Sequence, residues 1–347
     1  MKRRKFVNRA LSTVAIIGSN SVAQSISAVN SQSIETRRGQ RDINMSSVSS
    51  QPPHILTLDE ILTFPDVPAD HRVFYGPDPA QFGDLYLPQQ PGPHPVVLLL
   101  HGGCWRAQYS LSLVGQLGAA LRQAGLAVWN LEFRRIGNGG GWPTTFQDVA
   151  MGADFLRTLS PQFGLDLSRL VTVGHSAGGH LALWLAGRHH LPDTSPLHVG
   201  EGVRVHGVVS LAGIPDLIAG VQWNICRGAC HEVVGGLPED VPDRYQHASP
   251  HALLPLGVPQ WHLVGTEDEI VPAAYIQQYV EVANQYDEVH LEVLPDAGHF
   301  EVIVPTASVW PAVRHAVLDL VKRAPGYEYH WNKKSDSWVQ EHSKIPL

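Results

Sequence analysis

Leu170-Val171-Thr172-Val173-Gly174-His175-Ser176-Ala177-Gly178-Gly179-His180 is the stretch whose reading decides the fold. An apolar, β-branched run leads into Gly-x-Ser-x-Gly, and a helix-forming run from Leu181 to Gly187 follows. A nucleophile elbow requires this strand–turn–helix context. The turn is so tight that small residues must flank the serine. Gly174 and Gly178 supply them, and Ser176 is expected to stand exposed at the end of a strand. The motif by itself also occurs in Gly/Ser-rich turns that carry no chemistry, so its weight comes from what surrounds it.

On the N-terminal side, Val73-Phe74-Tyr75 and Asp84-Leu85-Tyr86-Leu87 alternate like exposed strands around a Gly76-Pro77-Asp78 turn. Pro95–Leu100 is a continuous apolar run, expected for a strand buried on both faces of a parallel sheet. A helix over Leu111–Gln123 and a buried strand over Leu126–Leu131 come next. Gly137–Gly141 lacks the following Lys-Ser/Thr of a phosphate loop and reads as a surface loop. Thr144-Thr145 are expected to cap a helix over Phe146–Leu159.

Beyond the serine, strands are expected near Val203–Leu211, over Pro259–Val264 and over Val289–Leu294, with helices over Ala273–Asn284 and Trp310–Lys322. Strand and helix alternate throughout, which predicts an α/β fold with a mostly parallel central sheet and helices on both faces. Residues 217–255 are irregular and rich in Gly, Pro and charge, a composition suited to walling or covering a pocket.

The 347-residue chain carries a formal charge of −7 and no basic face, which argues against nucleic-acid binding. No apolar run approaches the roughly 20 residues of a membrane span. The sequence assigns no oligomeric state. Residues 1–50 read as an export signal and linker: a Lys2-Arg3-Arg4-Lys5 start, an apolar stretch over Leu11–Gly18, then small residues at Ser21-Val22-Ala23. Arg3-Arg4-x-Phe6 resembles a twin-arginine signal, predicting a periplasmic or extracellular location; the alternative is a basic N-terminus on a cytoplasmic protein. The catalytic domain is placed at 51–325 and a tail with Tyr327, Tyr329, Trp331 and Trp338 at 326–347. Of the three cysteines, Cys226 and Cys230 either close a small disulfide or remain two loop thiols. They lack the second Cys/His pair of a zinc site.

Serine hydrolysis needs a base, an acid that orients the base, and N–H donors aimed at the oxyanion. In an α/β sheet each belongs in a loop at the carboxyl end of a strand. Asp268 follows the Pro259–Val264 strand, and His299 follows the next one in an Ala-Gly-His setting. The chain order Ser…Asp…His is that of α/β hydrolases. Glu267 and Glu269 read as solvated neighbours of Asp268, Asp296 as a turn residue, and Asp216 as a helix cap. His175 and His180 read as structural flanks of the elbow, and His189-His190 as surface. His101-Gly102-Gly103-Cys104-Trp105 supplies the donors: Gly102, Gly103 and Cys104 are expected to form the oxyanion hole with the N–H of Ala177. His101 is expected to orient that loop, Cys104 to contribute a small buried side chain, and Trp105 either to line the substrate pocket or to pack in the core.

These motifs together resemble the bacterial esterase and kynurenine formamidase-like branch of the α/β hydrolases. Glu132-Phe133-Arg134-Arg135 with Gly-Gly-Trp-Pro, Phe146-Gln147-Asp148-Val149 and Ala248-Ser249-Pro250 carry the resemblance further, over about residues 70–323. The resemblance implies a Ser176–Asp268–His299 triad, the oxyanion hole just described, and neither metal nor organic cofactor. The expected reaction is hydrolysis of small or aryl carboxylic esters through an acyl-enzyme. Alternatives are arylformamide hydrolysis on the same triad, an exopeptidase-like activity, and a scaffold that binds a small ester or amide without cleaving it. Export fits a carboxylesterase better than cytoplasmic tryptophan catabolism.

Overall fold

The computed structural model describes residues 54–323, 328–332 and 337–341. The export signal and linker expected over residues 1–50 lie outside the described residues. Eight strands form one sheet in the order β1-β2-β4-β3-β5-β6-β7-β8. They are β1 (His71–Phe74), β2 (Phe82–Tyr86), β3 (His94–Leu100), β4 (Ala127–Leu131), β5 (Leu165–His175), β6 (Val208–Leu211), β7 (Gln260–Gly265) and β8 (Val289–Leu294). The β1–β2 and β2–β4 pairs are antiparallel and every pair from β4 to β8 is parallel. The chain thus has the α/β-hydrolase fold.

The continuous apolar run of β3 has the physical cause anticipated for it. Val96, Leu98 and Leu100 face one hydrophobic core, while Val97 and Leu99 face a second core on the other side of the sheet. Side chains alternate along a strand, so both faces of the Val96–Leu100 run are dry and apolar. After a short α1 (Leu58–Leu62), helices α2 (Gly115–Gln123) and α10 (Trp310–Arg323) pack on one face. Helices α3 (Thr144–Asp154), α5 (Ala177–Gly187) and α9 (Ala273–Ala283) pack on the other. Every residue of α5 is buried, which explains its all-round apolar composition.

Several expectations are corrected. β2 is not an exposed strand: Gly83–Tyr86 are buried because its side chains enter the cores on both faces of the sheet, Leu85 on one and Tyr86 on the other. The helix expected over Phe146–Leu159 is two helices, α3 and α4 (Leu156–Phe163), meeting at Phe155. Thr144 and Thr145 lie inside α3 and do not cap it; Pro143 stands at the N-cap. The Thr145 hydroxyl instead accepts the Gly141 N–H and donates to the Arg134 carbonyl, fastening the glycine-rich loop. Residues 217–255 resolve into α6 (Leu217–Gln222), α7 (Ala229–Val234) and α8 (Pro242–Ala248) with tight turns between them. In the tail, Glu328–Asn332 pairs antiparallel with Ser337–Glu341. Among the described residues no helix is long and apolar enough to cross a membrane.

Candidate active site

The elbow is built by close backbone approach. Ser176 joins β5 to α5 at φ 54°, ψ −120°, a conformation that L-residues adopt only under constraint. A Cβ at Gly174 would lie 2.0 Å from the Gly178 carbonyl oxygen, and one at Gly178 would lie 2.2 Å from that of Leu100. Only glycine fits either position. The Ser176 N–H donates to the Leu211 carbonyl of β6 at 2.8 Å, which fixes the turn at the carboxyl edge of the sheet.

Asp268 and His299 arrive from the next two strands. The Thr266 N–H donates to Leu294 and the Glu267 N–H to Ala297, each at 2.9 Å, so the two loops are stitched together. Gly265 permits this approach, because a Cβ there would meet the Ala297 oxygen at 1.9 Å. Asp268 is buried and uses its two oxygens differently. Oδ1 accepts the N–H groups of Ile270 (2.9 Å) and Val271 (2.7 Å), while Oδ2 lies 2.7 Å from His299 Nδ1. An ionised carboxylate only accepts, so this contact puts a proton on His299 Nδ1 and leaves Nε2 as the ring nitrogen not engaged by Asp268. The Glu301 carboxylate holds the His299 loop by accepting the N–H groups of Gly298 (2.9 Å) and Leu56 (2.5 Å).

His175 locks the elbow to that loop, as its Nε2–H donates to the His299 carbonyl at 2.9 Å. Burial, reinforced by the neighbouring His299, pushes the His175 pKa well below its usual value, so the ring is neutral. His180 donates from Nε2 to the Ala248 carbonyl at 2.9 Å, tying α5 to α8, and burial pushes its pKa down to about 4.

A cavity of about 690 Å³ opens over Ser176 and His299, with Gly103, Cys104 and His175 also on its lining. Gly102 packs under the elbow, its ideal Cβ position being 3.1 Å from the Ser176 Cβ. Gly103, Cys104 and Trp105 take φ values of 98°, 52° and 53°, so the loop after β3 curls left-handed beside the serine. Among the described residues no acceptor takes the amide N–H groups of Gly103, Cys104 or Ala177. His101 steadies this loop: Nδ1–H donates to the Gly102 carbonyl at 2.8 Å, and the ring stacks on Phe133 at 4.6 Å. Behind it, Glu132 pairs with Arg135 and accepts the Leu111 and Phe133 N–H groups.

Two cysteine expectations are corrected. Cys226 pairs with Cys104, across 122 residues, and not with Cys230. Cys230 is a buried free thiol whose pKa burial pushes up to about 12, which makes it unreactive. Cys104 therefore contributes half of a disulfide in the loop after β3, not a small free side chain. Of the two readings of Trp105, the core one applies. The ring is 1% exposed and meets His180 edge-on at 5.2 Å, because the left-handed backbone turns it away from the cavity. The lining that sequence reasoning missed includes Arg106, Tyr109, Asn224, Arg227, Ile270 and Phe300. The expectation that residues 217–255 wall a pocket was the one signal that pointed to part of it.

Residues 83–282 match the BD-FAE family. Esterase LipC of Mycobacterium tuberculosis is 27% identical over 267 residues, an alignment spanning 71% of this chain and 63% of that protein. The probable isoprenylcysteine alpha-carbonyl methylesterase ICMEL1 of Arabidopsis thaliana is 33% identical over 113 residues, 32% of this chain and 23% of its own length. The chain therefore spans less than two thirds of these curated relatives. Among solved structures, Esterase B from Lactobacillus rhamnosis superposes with a TM-score of 0.65 at 18% identity, covering 76% of this chain and 90% of that one. A bacterial heroin esterase superposes with a TM-score of 0.57 at 22% identity, covering 70% and 79%. At such identities the structural likeness speaks for the fold alone. The family match, however, takes in more than half of the residues, and they include the elbow, Asp268 and the loop after β3: the chain belongs to the BD-FAE family, within the α/β-hydrolase superfamily.

Proposed function

We propose that this protein is a serine hydrolase that cleaves carboxylic esters of small or aryl substrates through an acyl-enzyme. The observation that carries the reading is the buried 2.7 Å His299 Nδ1–Asp268 Oδ2 contact, made by a histidine that shares its cavity with Ser176. In this reading His299 Nε2 takes the Ser176 hydroxyl proton as Oγ attacks the ester carbonyl. Asp268 keeps the Nδ1 tautomer and stabilises the imidazolium that forms. The oxyanion collects N–H donors from Ala177 and from the Gly102–Cys104 loop, each worth about 3 kcal/mol to the transition state. His299 then returns the proton to the leaving alkoxide, and water enters by the same route to release the acid. The amide groups left without acceptors beside Ser176 support this role for the loop.

Esters are favoured over formamides because the relatives carry esterase and methylesterase names. A disulfide bracing the site supports an oxidising compartment, in line with the export signal read at residues 1–50. The test is a side-by-side assay on short-chain p-nitrophenyl esters and N-formylkynurenine, with Ser176→Ala as control. Ester turnover far above formamide turnover, abolished in Ser176→Ala, is the expected result. Dominant formamide turnover overturns the substrate assignment, and turnover that survives in Ser176→Ala overturns the mechanism.

A further inference from the structure

The turn between α6 and α7 is an unusual piece of backbone. Asn224, Cys226 and Arg227 take φ values of 52°, 56° and 50°, and Gly228 follows at 93°. Three left-handed non-glycine residues in four positions persist only where the surroundings impose them, and such segments cluster at ligand clamps. Here the constraint is covalent and local. Cys226 is bonded to Cys104 in the loop beside Ser176, Ile225 is buried as an anchor, and the Arg227 N–H donates to the Asn224 carbonyl at 3.1 Å. The disulfide thereby sets the position of Arg227 relative to the serine.

Arg227 is an exposed residue on the lining of the Ser176 cavity, and among the described residues no carboxylate pairs with its guanidinium. The other arginine on the lining, Arg106, already has Glu232 at 2.9 Å. The acidic side chain on the lining, Glu269, sits on the Asp268 turn, and no ion pair joins it to Arg227. A chain of net charge −7 thus places an uncompensated guanidinium on the disulfide-bound wall of the cavity. A guanidinium is matched in shape and charge to a carboxylate, which it binds through two parallel N–H···O bonds.

We propose that Arg227 is a specificity determinant that anchors a carboxylate on the substrate, so that this hydrolase prefers esters bearing a second, ionised acid group. The inference rests on the serine-hydrolase reading of Ser176. Arg227 touches the remote end of the substrate and takes no part in proton transfer. Its effect should fall on kcat/KM for anionic esters and leave neutral ones alone.

The experiment uses the full chain and two matched ester pairs. In the first pair, 4-acetoxybenzoate against its methyl ester, the charge lies on the leaving group. In the second, mono-p-nitrophenyl adipate against p-nitrophenyl heptanoate, it lies on the acyl group. The wild type is expected to favour the anionic member of at least one pair. Arg227→Ala should lower that kcat/KM about tenfold and change the neutral partner less than twofold, with Arg227→Lys intermediate. Rising salt should erode the wild-type preference and leave Arg227→Ala unaffected, as expected for a partly exposed ion pair. No anionic preference in either pair, or an equal loss on both members of the favoured pair, overturns the proposal. Ser176→Ala is run beside these variants. Turnover surviving in it overturns the underlying hydrolase reading, whereas Ser176-dependent turnover without charge preference sinks only the role given to Arg227.

Discussion

His299 with Asp268 and His251 with Asp216 are built to nearly the same plan. In each, the histidine Nδ1 lies 2.7 Å from the aspartate Oδ2, and the aspartate Oδ1 accepts two backbone N–H groups from the turn that follows it. Each aspartate stands in a loop at the carboxyl end of a parallel strand, Asp216 after β6 and Asp268 after β7. What separates them is the surroundings. The His299 side chain is 6% exposed and shares the Ser176 cavity, whereas the His251 side chain is 39% exposed and lies outside that lining. A His–Asp contact is therefore a general device for holding a ring, and it becomes chemistry only where the other ring nitrogen meets a nucleophile.

The largest expected effect breaks the first pair. Asp268→Asn retains a carbonyl for Ile270 and Val271 but offers His299 Nδ1 an amide donor, which forces the wrong tautomer. Ester turnover should fall by roughly 10³- to 10⁴-fold with the fold intact, measured as kcat beside a thermal melt. The same change at Asp216 should leave kcat within about twofold.

A second test sharpens the contrast by loosening only the wall of the His299 cavity. Cys226→Ser removes a cross-link over 122 residues and should cost about 2–4 kcal/mol in denaturant unfolding. It should also lower kcat/KM on neutral esters, because the loop after β3, beside Ser176, loses its brace. Unchanged stability and turnover would show the disulfide to be idle.

Burial and pairing shift the histidines in opposite directions. Burial holds His180 near a pKa of about 4, His262 of β7 near about 3, and His175 well below its usual 6.5. These rings are neutral in the folded chain while the unfolded chain protonates below about 6.5. Their contribution is thus complete above pH 6.5 and is lost as pH falls, at about 1.4 kcal/mol per pH unit for each ring. The urea midpoint should drop between pH 7 and pH 5; a flat midpoint contradicts this.

His251 works in the opposite sense. Its hydrogen bond to Asp216 raises its pKa, so that pair stabilises below pH 6.5 and is lost as pH rises through the raised value. With more than a third of the ring in solvent, the effect is the smallest of these. Asp216→Asn should cost under about 1 kcal/mol at pH 6 and less at pH 8.

What the sequence made legible follows from the range of the forces involved. The elbow is a local matter of glycines around Ser176, and the strands that deliver Asp268 and His299 announce themselves by continuous apolar runs. The α/β architecture and the shared cavity of Ser176 and His299 followed from that pattern. The Cys104–Cys226 bond was illegible because nothing near either residue encodes a partner 122 positions away. Trp105 was ambiguous because its direction depends on a left-handed backbone that no composition rule signals. The burial of β2 depended on cores that cover both of its faces, and the His251–Asp216 contact on two loops meeting across 35 residues.

On the proposed mechanism Ser176, alone among the serines of this chain, is the nucleophile. A fluorophosphonate probe followed by peptide mass spectrometry tests it most directly. One adduct per chain is expected, on Ser176, formed in step with loss of ester turnover and absent from Ser176→Ala. An adduct on another residue, or full turnover with Ser176 modified, would contradict it.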